Sequence, residues 1–363
     1  MLKNSLAIGA LNLFSMMILS YMAYQNNILE KRMKKYFLFA IWSTVIAISA
    51  EIGTFIFMVP HASFRIPHII FNLIGFSISP FITIFLTFAF CNHRFGTYKW
   101  LFAFPMLNLI LTFLSPVFGF IFIVSPENIY SRGHLFIMYI LSYTINMLVL
   151  LKESLLMVKR YQDKNRYTML LLFLLLFVGT TAQVFAPEIH TTWSCISISI
   201  TIYYAYFCEL SEKHDVLTDL FNRRAYECEL QRLDQKTNAT IIIFDADDFK
   251  KINDNYGHQC GDYSLSAVAD LIKEVFFSIG LCYRMGGDEF CVISRITDET
   301  VIVSALDTFS EKIKSRSEND DLIPMVSLGY AIYNASDGSI NNALRQADRQ
   351  LYEYKQTNKT QKV

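Results

Sequence analysis

The sequence has no cysteine pair at metal-binding spacing, and it has few acidic residues in its first 208 positions. Its seven cysteines are an odd number with no Cys-x-x-Cys pair. This argues against a zinc site and favours small buried thiols in a reducing compartment over a disulfide framework. Up to position 208 there are fourteen Lys/Arg and six Asp/Glu, a net charge of +8. The remainder carries 18 basic and 26 acidic residues, a net charge of −8. The neutral total therefore hides two chemically different halves.

Long apolar runs dominate the first half. A helix needs about 20 apolar residues to cross a bilayer. The first run is longer than a signal-peptide core and has no small-residue cleavage site, so we interpret it as a span. The pattern predicts a multi-span α-helical membrane domain over residues 1–208, interpreted as a sensor. Its seven predicted spans are 5–25, 36–59, 67–91, 100–124, 134–151, 167–186 and 191–208.

Basic loops predict how this domain is oriented. The loops at 26–35, 92–99 and 152–166 together carry eleven Lys/Arg, whereas the alternate loops and the N-terminus carry Arg65, Arg132 and Lys3. Because basic loops stay on the cytoplasmic side, we expect the N-terminus outside and the second half in the cytoplasm. The expected location is a bacterial inner membrane, with the lipid bilayer as a partner.

The second half, 209–363, has the alternating pattern of an α+β domain. Asn222 is a predicted N-cap. We predict a βαββαβ order with the helices on one face of the sheet, and a loop from Asp245 to the second helix. The predicted helices are 222–233, 263–277, 298–316 and 340–355, and the predicted strands are 239–244, 281–285, 290–294 and 325–333.

Two acidic strand ends are the strongest functional signal. Gly286 and Gly287 favour a tight hairpin that carries Asp288 and Glu289, and the first strand ends in Asp245. Taken alone, acids at a hairpin tip are more often solvated turn residues. In the predicted topology, however, the first strand and the hairpin can be neighbours, and three converging carboxylates favour a cation. Hard oxygen ligands suit Mg²⁺ or Mn²⁺, which support phosphoryl transfer.

Five sequence blocks in order resemble the GGDEF (diguanylate cyclase) family over about 215–359. The resemblance implies a nucleotidyl-cyclase or palm-like fold that joins two GTP into cyclic di-GMP as a homodimer. It also implies cyclic di-GMP effectors downstream and no nucleic-acid partner. The blocks are Asp215–Arg224, Asp245–Asp254 with Gly257-His258 and Gly261-Asp262, Gly286–Phe290, Ser327–Gly329, and Ala347-Asp348 with Leu351-Tyr352 and Lys355.

The resemblance also implies residue roles. Asp245, Asp288, Glu289 and the carbonyl of Ala246 would hold the metal, and Glu289, Asp288 and Lys250 would act in catalysis. His258 is either a nucleotide contact or a loop-packing residue. The remaining substrate-binding set is Asn253 and Asp262 for guanine, and Asp248, Phe249, Lys250, Lys355 and Lys359 for the phosphates.

Some positions depart from the family pattern. Asp219 stands where Gly is usual, and Asp tolerates left-handed backbone. Asn358-Lys359 replaces the usual Gly-Arg, which puts the phosphate grip in question. Phe277 and Gly280 replace the Arg-x-x-Asp of the product-inhibition site. We therefore expect that site to be missing.

Two alternatives to a cyclase stay open. One is a catalytically inactive GGDEF receptor that binds nucleotide, which the intact Asp245, Asp288 and Glu289 disfavour. The other is a transporter-like membrane protein with a regulatory tail. In the membrane half, Glu51 falls in the middle of a predicted span. An ionisable group there is costly, so we interpret Glu51 as part of the signalling machinery, against a purely structural hydrogen-bonded carboxyl.

Overall fold

The computed structural model describes residues 2–91, 95–161, 166–185, 191–233, 237–337 and 339–361. The chain divides into two compact units, Met1–Glu209 and Leu210–Val363. The boundary falls inside a helix near the end of the apolar half. Each unit has its own architecture.

The first unit is built from helices. Their outward faces carry large apolar side chains, as at Leu11, Phe14 and Val117, which are 68%, 65% and 79% exposed. Such faces suit lipid rather than water as solvent. The helices are α1 (Leu2–Gln25), α2 (Lys31–Phe57), α3 (Arg65–Phe90), α4 (Ala103–Phe118), α5 (Phe136–Arg160), α6 (Arg166–Phe185) and α7 (Thr192–Lys213).

Within the described residues, six helices are long and apolar enough to cross a membrane. They correspond to the first six predicted spans. The segment predicted as the seventh span, 191–208, is helical in α7 but is not among the six. Its many hydroxyl-bearing residues, from Thr192 to Tyr204, lower its hydropathy. Seven spans therefore remain a prediction.

The fourth predicted span, 100–124, is wrong at its C-terminal end. Helix α4 stops at Phe118 because Gly119 adopts a left-handed φ of 67° and donates its N–H to the Ser115 carbonyl at 2.8 Å. The chain then forms strand β1 (Phe122–Val124), which pairs antiparallel with β2 (Tyr130–Arg132). An apolar run alone does not distinguish a short strand from the end of a helix.

The second unit contains a four-stranded antiparallel sheet. Asn222 caps its first helix as predicted, since its Oδ1 accepts from the Ala225 N–H at 3.0 Å. The strands lie in the order β4-β5-β3-β6. They are β3 (Ala239–Ala246), β4 (Gly280–Gly286), β5 (Glu289–Ser294) and β6 (Val326–Tyr333), and the helices are α8 (Arg223–Leu233), α9 (Phe249–Tyr256), α10 (His258–Phe276), α11 (Glu299–Asn319) and α12 (Ile340–Gln361).

Helices cover both faces of this sheet, so the prediction of helices on one face is wrong. On one side Phe244 packs against Phe276 of α10 and Phe309 of α11, with ring centroids 5.4 and 5.1 Å away. On the other side Ile241 and Ile243 belong to a cluster that includes residues of α8 and α12. Strand β3 is apolar at nearly every position, and a strand buried on both faces needs cover on both.

The predicted loop after β3 is also wrong, because α9 and the first residues of α10 occupy most of it. Asp248 precedes this helix with a φ of 55°, and Gly257 follows it with a φ of 84°. These two left-handed residues bracket a helix of 8 residues. So short an element contains too few apolar residues for helical periodicity to be recognised.

Candidate active site

The backbone positions of the predicted carboxylates are neighbours at one end of strands β3 and β5. Strand β3 pairs antiparallel with β5 so that Asp245 lies directly opposite Glu289. The next residue, Ala246, donates its backbone N–H to the carbonyl of Asp288 at 3.1 Å. The prediction that the first strand and the hairpin lie side by side is therefore confirmed. Because the register is set by backbone hydrogen bonds, these positions follow from the sheet itself.

The turn that carries the acids depends on its two glycines. Gly286 has a φ of 155° and Gly287 a φ of 52°, which residues with a Cβ rarely adopt. The pairing of β4 with β5 shifts by one register step between Arg284 and Gly286. Such a bulge redirects the following side chains. Asp288 is left half-buried and Glu289 exposed, where both can reach a ligand.

Arg284 holds this turn in place, and the sequence reasoning did not single it out. Its Nε and Nη2 donate to the Gly287 carbonyl at 3.1 and 2.9 Å, and its Nη1 lies 2.9 Å from the Asp215 carboxylate. Asp215 also accepts from the N–H and hydroxyl of Thr218 at 3.0 and 2.7 Å. An arginine two residues before the paired glycines is a sequence signal for a side chain that can donate hydrogen bonds to the carbonyls of the turn.

Burial of Asp215 would by itself raise its pKa. The hydrogen bonds from Thr218 and Arg284, together with the positive charge of Arg284, overcome that effect and lower the pKa. Asp215 therefore stays ionised and keeps Arg284 anchored. The opening block and the signature turn are joined by this pair, although they are far apart in the sequence.

Lys355 reaches the same edge from α12. Its Nζ lies 2.6 Å from Oδ1 of Asp245, and the two side chains are 31% and 16% exposed. A positive group therefore already lies against a carboxylate predicted to hold metal. Lys359, the other predicted phosphate contact on this helix, has a side chain outside the described part of the structure.

The segment after β3 places the predicted nucleotide contacts on α9 and α10. Asp248 is exposed and pairs with Lys251 at 3.0 Å, while Phe249 packs against the core and Lys250 points outward. These residues lie at the N-terminus of α9, where backbone N–H groups favour anions. Asp247 has a structural contact instead, since it accepts from the Ser327 hydroxyl at 2.7 Å.

Where α9 packs on α10, Asn253 lies against Gly261, the residue before Asp262. A Cβ on Gly261 would lie 2.0 Å from Oδ1 of Asn253, so the glycine is what allows this close approach. Asp262 follows directly and is exposed, as is His258 in the first turn of α10. The predicted guanine contacts are thus brought to one helix junction.

The residues present suit a hard divalent cation. The predicted convergence of three carboxylate side chains is not found, since in the part of the chain that the structure describes no three His, Cys, Asp or Glu side chains lie close enough to hold a metal ion by themselves. Mg²⁺ does not require such a cage, because it commonly takes one or two carboxylates, waters and substrate phosphates. Asp245 opposite Glu289, with Asp288 adjacent, offers that oxygen-rich set, and the Lys355 ammonium marks Asp245 as a point where positive charge is favoured.

Comparison with known families identifies this unit. Residues 212–361 match the family described as diguanylate cyclase, GGDEF domain. This part of the chain is a GGDEF domain. The match covers the sheet, the signature turn and helices α8 to α12. The left-handed Asp219, with a φ of 59°, fits the position where the family usually has Gly.

Curated relatives of the GGDEF domain carry the same family name. The chain is 44% identical over 84 residues to diguanylate cyclase DgcS of Shewanella oneidensis, covering 22% of this chain and 28% of the relative. It is 32% identical over 150 residues to probable diguanylate cyclase DgcJ of Escherichia coli, covering 39% of this chain and 29% of the relative. The chain therefore spans less than a third of the length of these relatives.

A solved structure is also similar. The crystal structure of the coiled coil and GGDEF domain of DgcB from Caulobacter crescentus, in complex with c-di-GMP, is 28% identical. The match covers 45% of this chain and 91% of that chain, with a TM-score of 0.41.

Proposed function

We propose that this chain is a membrane-bound diguanylate cyclase that condenses two GTP into cyclic di-GMP and two pyrophosphates. The observation that carries the proposal is the pairing of Asp245 with Glu289 at the sheet edge, beside the signature turn. The names of the relatives, which are diguanylate cyclase and probable diguanylate cyclase, support it.

Each GGDEF domain would hold one GTP. Asn253 and Asp262 bind the guanine, and the N-terminus of α9 at Asp248 and Phe249 receives the phosphates with help from Lys250. In the bound state Lys355 turns from Asp245 towards the phosphates, where an ammonium acts as a point charge. Closing the ring takes two phosphodiester bonds, so two domains must meet head to tail as a homodimer.

In each half-reaction the 3′-oxygen of one GTP bonds to the α-phosphorus of the other. The bond from that phosphorus to the bridging oxygen breaks, and pyrophosphate leaves with the electron pair. The carboxylate of Glu289 orients the 3′-hydroxyl and receives its proton, while Asp288 and Asp245 complete the oxygen-rich edge. When bound, a divalent cation, Mg²⁺ or Mn²⁺, would neutralise the phosphate charge and would make the 3′-hydroxyl more acidic.

The membrane placement is part of the proposal. Substrate GTP requires the GGDEF domain in the cytoplasm, on the side of the basic loops. With the N-terminus outside, that placement requires an odd number of spans, so α7 must cross together with the six apolar helices. The first unit would then act as a sensor in a bacterial inner membrane. The product would act on cyclic di-GMP effectors.

Product analysis tests the activity. The full chain in lipid nanodiscs is given equal GTP and ATP with Mg²⁺, and products are separated by mass. We expect mainly cyclic di-GMP, because the Asp262 carboxylate can accept both N–H donors of guanine and adenine offers no such pair. Asp262→Ser should relax this preference, whereas Asp307→Ser on the exposed face of α11 should not.

Other results identify the alternatives. A predominant mixed adenine–guanine product would contradict the base assignment. Nucleotide binding without any product would favour the inactive receptor, and no nucleotide binding would favour a transporter-like protein with a regulatory tail.

A further inference from the structure

The first unit contains a large, partly open cavity. It has a volume of about 920 Å³ and is lined by residues of α2, α3, β2, α5, α6 and α7. Small-molecule sites usually measure about 300–1,000 Å³ and are mostly apolar with a few placed polar groups. Most of this wall is aliphatic or aromatic. Its size and lining are those of a binding site for an organic molecule.

A few polar groups face this space. Glu51 is the only carboxylate among the described residues of the wall. Gln183 donates from Nε2 to Oε1 of Glu51 across a long distance of 3.5 Å. The hydroxyl of Tyr143 lines the same cavity, is buried, and has no hydrogen-bond partner within the described residues. Buried polar groups are nearly always partnered, so this hydroxyl indicates a place for a ligand group.

The aromatic part of the wall favours positive charge. The ring of Phe76 lies edge-on to Tyr139 with centroids 5.0 Å apart and stacks on Tyr130 at 6.5 Å. Trp193 and Tyr143 contribute further rings. The faces of aromatic rings attract cations, and aromatic cages with a nearby carboxylate suit protonated amines.

Arg132 is the one Lys or Arg in the described wall, and its guanidinium contacts two other residues of that wall. Its Nη2 donates to the Gln183 carbonyl at 3.1 Å, and its guanidinium lies 4.9 Å from the Phe136 ring centroid. Glu51 would repel an anionic ligand. The charged group best matched to Glu51 is therefore a cation.

We propose that this cavity binds an apolar molecule that carries a protonated amine, with the amine on Glu51 and the hydroxyl of Tyr143 as a second acceptor. The site lies within the first unit and goes beyond the proposed cyclase activity. Its occupancy is measurable as binding whether or not the GGDEF domain turns over.

Matched probes test the charge and the shape. The full chain in nanodiscs is dialysed to equilibrium against 2-(1-naphthyl)ethylamine, the corresponding alcohol or 1-naphthylacetate. Empty nanodiscs measure how much of each probe enters the lipid, and this amount is subtracted. Decylamine and 3-phenylpropylamine extend the amine series. We expect saturable binding of one amine per chain, about tenfold tighter than the alcohol, and no saturable binding of the carboxylate.

Variants locate the binding. Glu51→Gln should remove the preference for the amine over the alcohol, and Tyr143→Phe should weaken amine binding several-fold. Glu153→Gln is the matched control, because Glu153 is a second buried carboxyl of this unit, on α5, that does not line the cavity. Its binding should equal that of the wild type.

Several results would overturn the proposal. These are no saturable binding of any amine to the wild type, equal or tighter binding of the alcohol or the carboxylate, or the same loss in Glu153→Gln as in Glu51→Gln. If Glu51→Gln does not fold, the probe series on the wild type and on Tyr143→Phe decides the question alone.

Discussion

The two units hold the carboxylates that we propose to be functional in opposite ways. In the GGDEF domain, Asp288 and Glu289 lie on a turn at the edge of a sheet, and backbone pairing with β3 sets their positions. In the first unit, Glu51 lies on a helix, and its surroundings depend on side chains from other helices, such as Gln183. Strand pairing therefore places a residue through regular backbone hydrogen bonds, whereas helix packing places it through side-chain contacts that follow no fixed pattern.

The largest expected effect comes from removing the edge carboxylates. Asp288→Ala and Glu289→Ala should each abolish cyclic di-GMP synthesis while the domain stays folded, because a turn at the sheet edge contributes little to the core. The loss should exceed about tenfold, or about 1.4 kcal/mol of barrier. Turnover per folded protein measures it, with Asp307→Ala as a surface control. A variant that keeps more than about a tenth of the wild-type rate would show that the site assignment is wrong.

Arg284→Ala should have the next largest effect, because it disconnects the turn from Asp215. The Gly287 carbonyl and the Asp215 carboxylate would each lose a charged donor. We expect a loss of about 1–3 kcal/mol in local stability and about a tenfold slower reaction. Hydrogen exchange of the hairpin amides, compared with that of the rest of the domain, distinguishes a local loss of stability from a general loss of fold, and the reaction rate is measured separately. Arg284→Lys should restore the charge but not the fork-like contacts, so a full rescue by Lys would contradict the positioning role.

The stability of the second unit should depend on pH. His214 packs on Phe221 with ring centroids 4.4 Å apart, and burial lowers its pKa from 6.5 to about 4. The unfolded chain binds a proton below pH 6.5 and the folded chain does not, so stability falls as the pH drops from 6.5 towards 4. The expected loss is about 2 kcal/mol between pH 7 and pH 5.

Hydrogen exchange at residues 213–224, corrected for the chemical exchange rate at each pH, measures this loss in the full chain. His214→Phe should flatten the pH dependence, whereas the exposed His258→Gln should leave it unchanged. A pH dependence that survives in His214→Phe would assign the effect to another group.

The smallest expected effect concerns Glu51. If the first unit controls the GGDEF domain, Glu51→Gln should change cyclic di-GMP per molecule of membrane-inserted protein by a few-fold, about 1 kcal/mol or less of coupling. Glu153→Gln again serves as the control. A ratio of product to protein that equals the wild type would end the signalling role of Glu51 and leave it a structural carboxyl.

The amino-acid sequence was enough to predict most helices and strands, because each of them depends on a local pattern of residues. Apolar length predicted seven spans, and six helices among the described residues are long and apolar enough to cross a membrane. Alternating periods predicted the strands and most helices of the second unit, and paired glycines before two acids predicted the hairpin. Which residues lie opposite each other in β3 and β5 did not follow from the sequence, because alternation with a period of two sets the face of each side chain and leaves the register between strands open.

Which distant side chains contact each other depends on the packing of the whole chain. The ion pairs of Lys355 with Asp245 and of Arg284 with Asp215, the helices on both faces of the sheet, and the cavity around Glu51 join residues from separate elements. Short elements such as α9 and the β1–β2 hairpin contain too few residues for a period to be recognised. The local pattern of residues predicts which face of a helix or strand is apolar, but which element packs against that face depends on the packing of the whole chain.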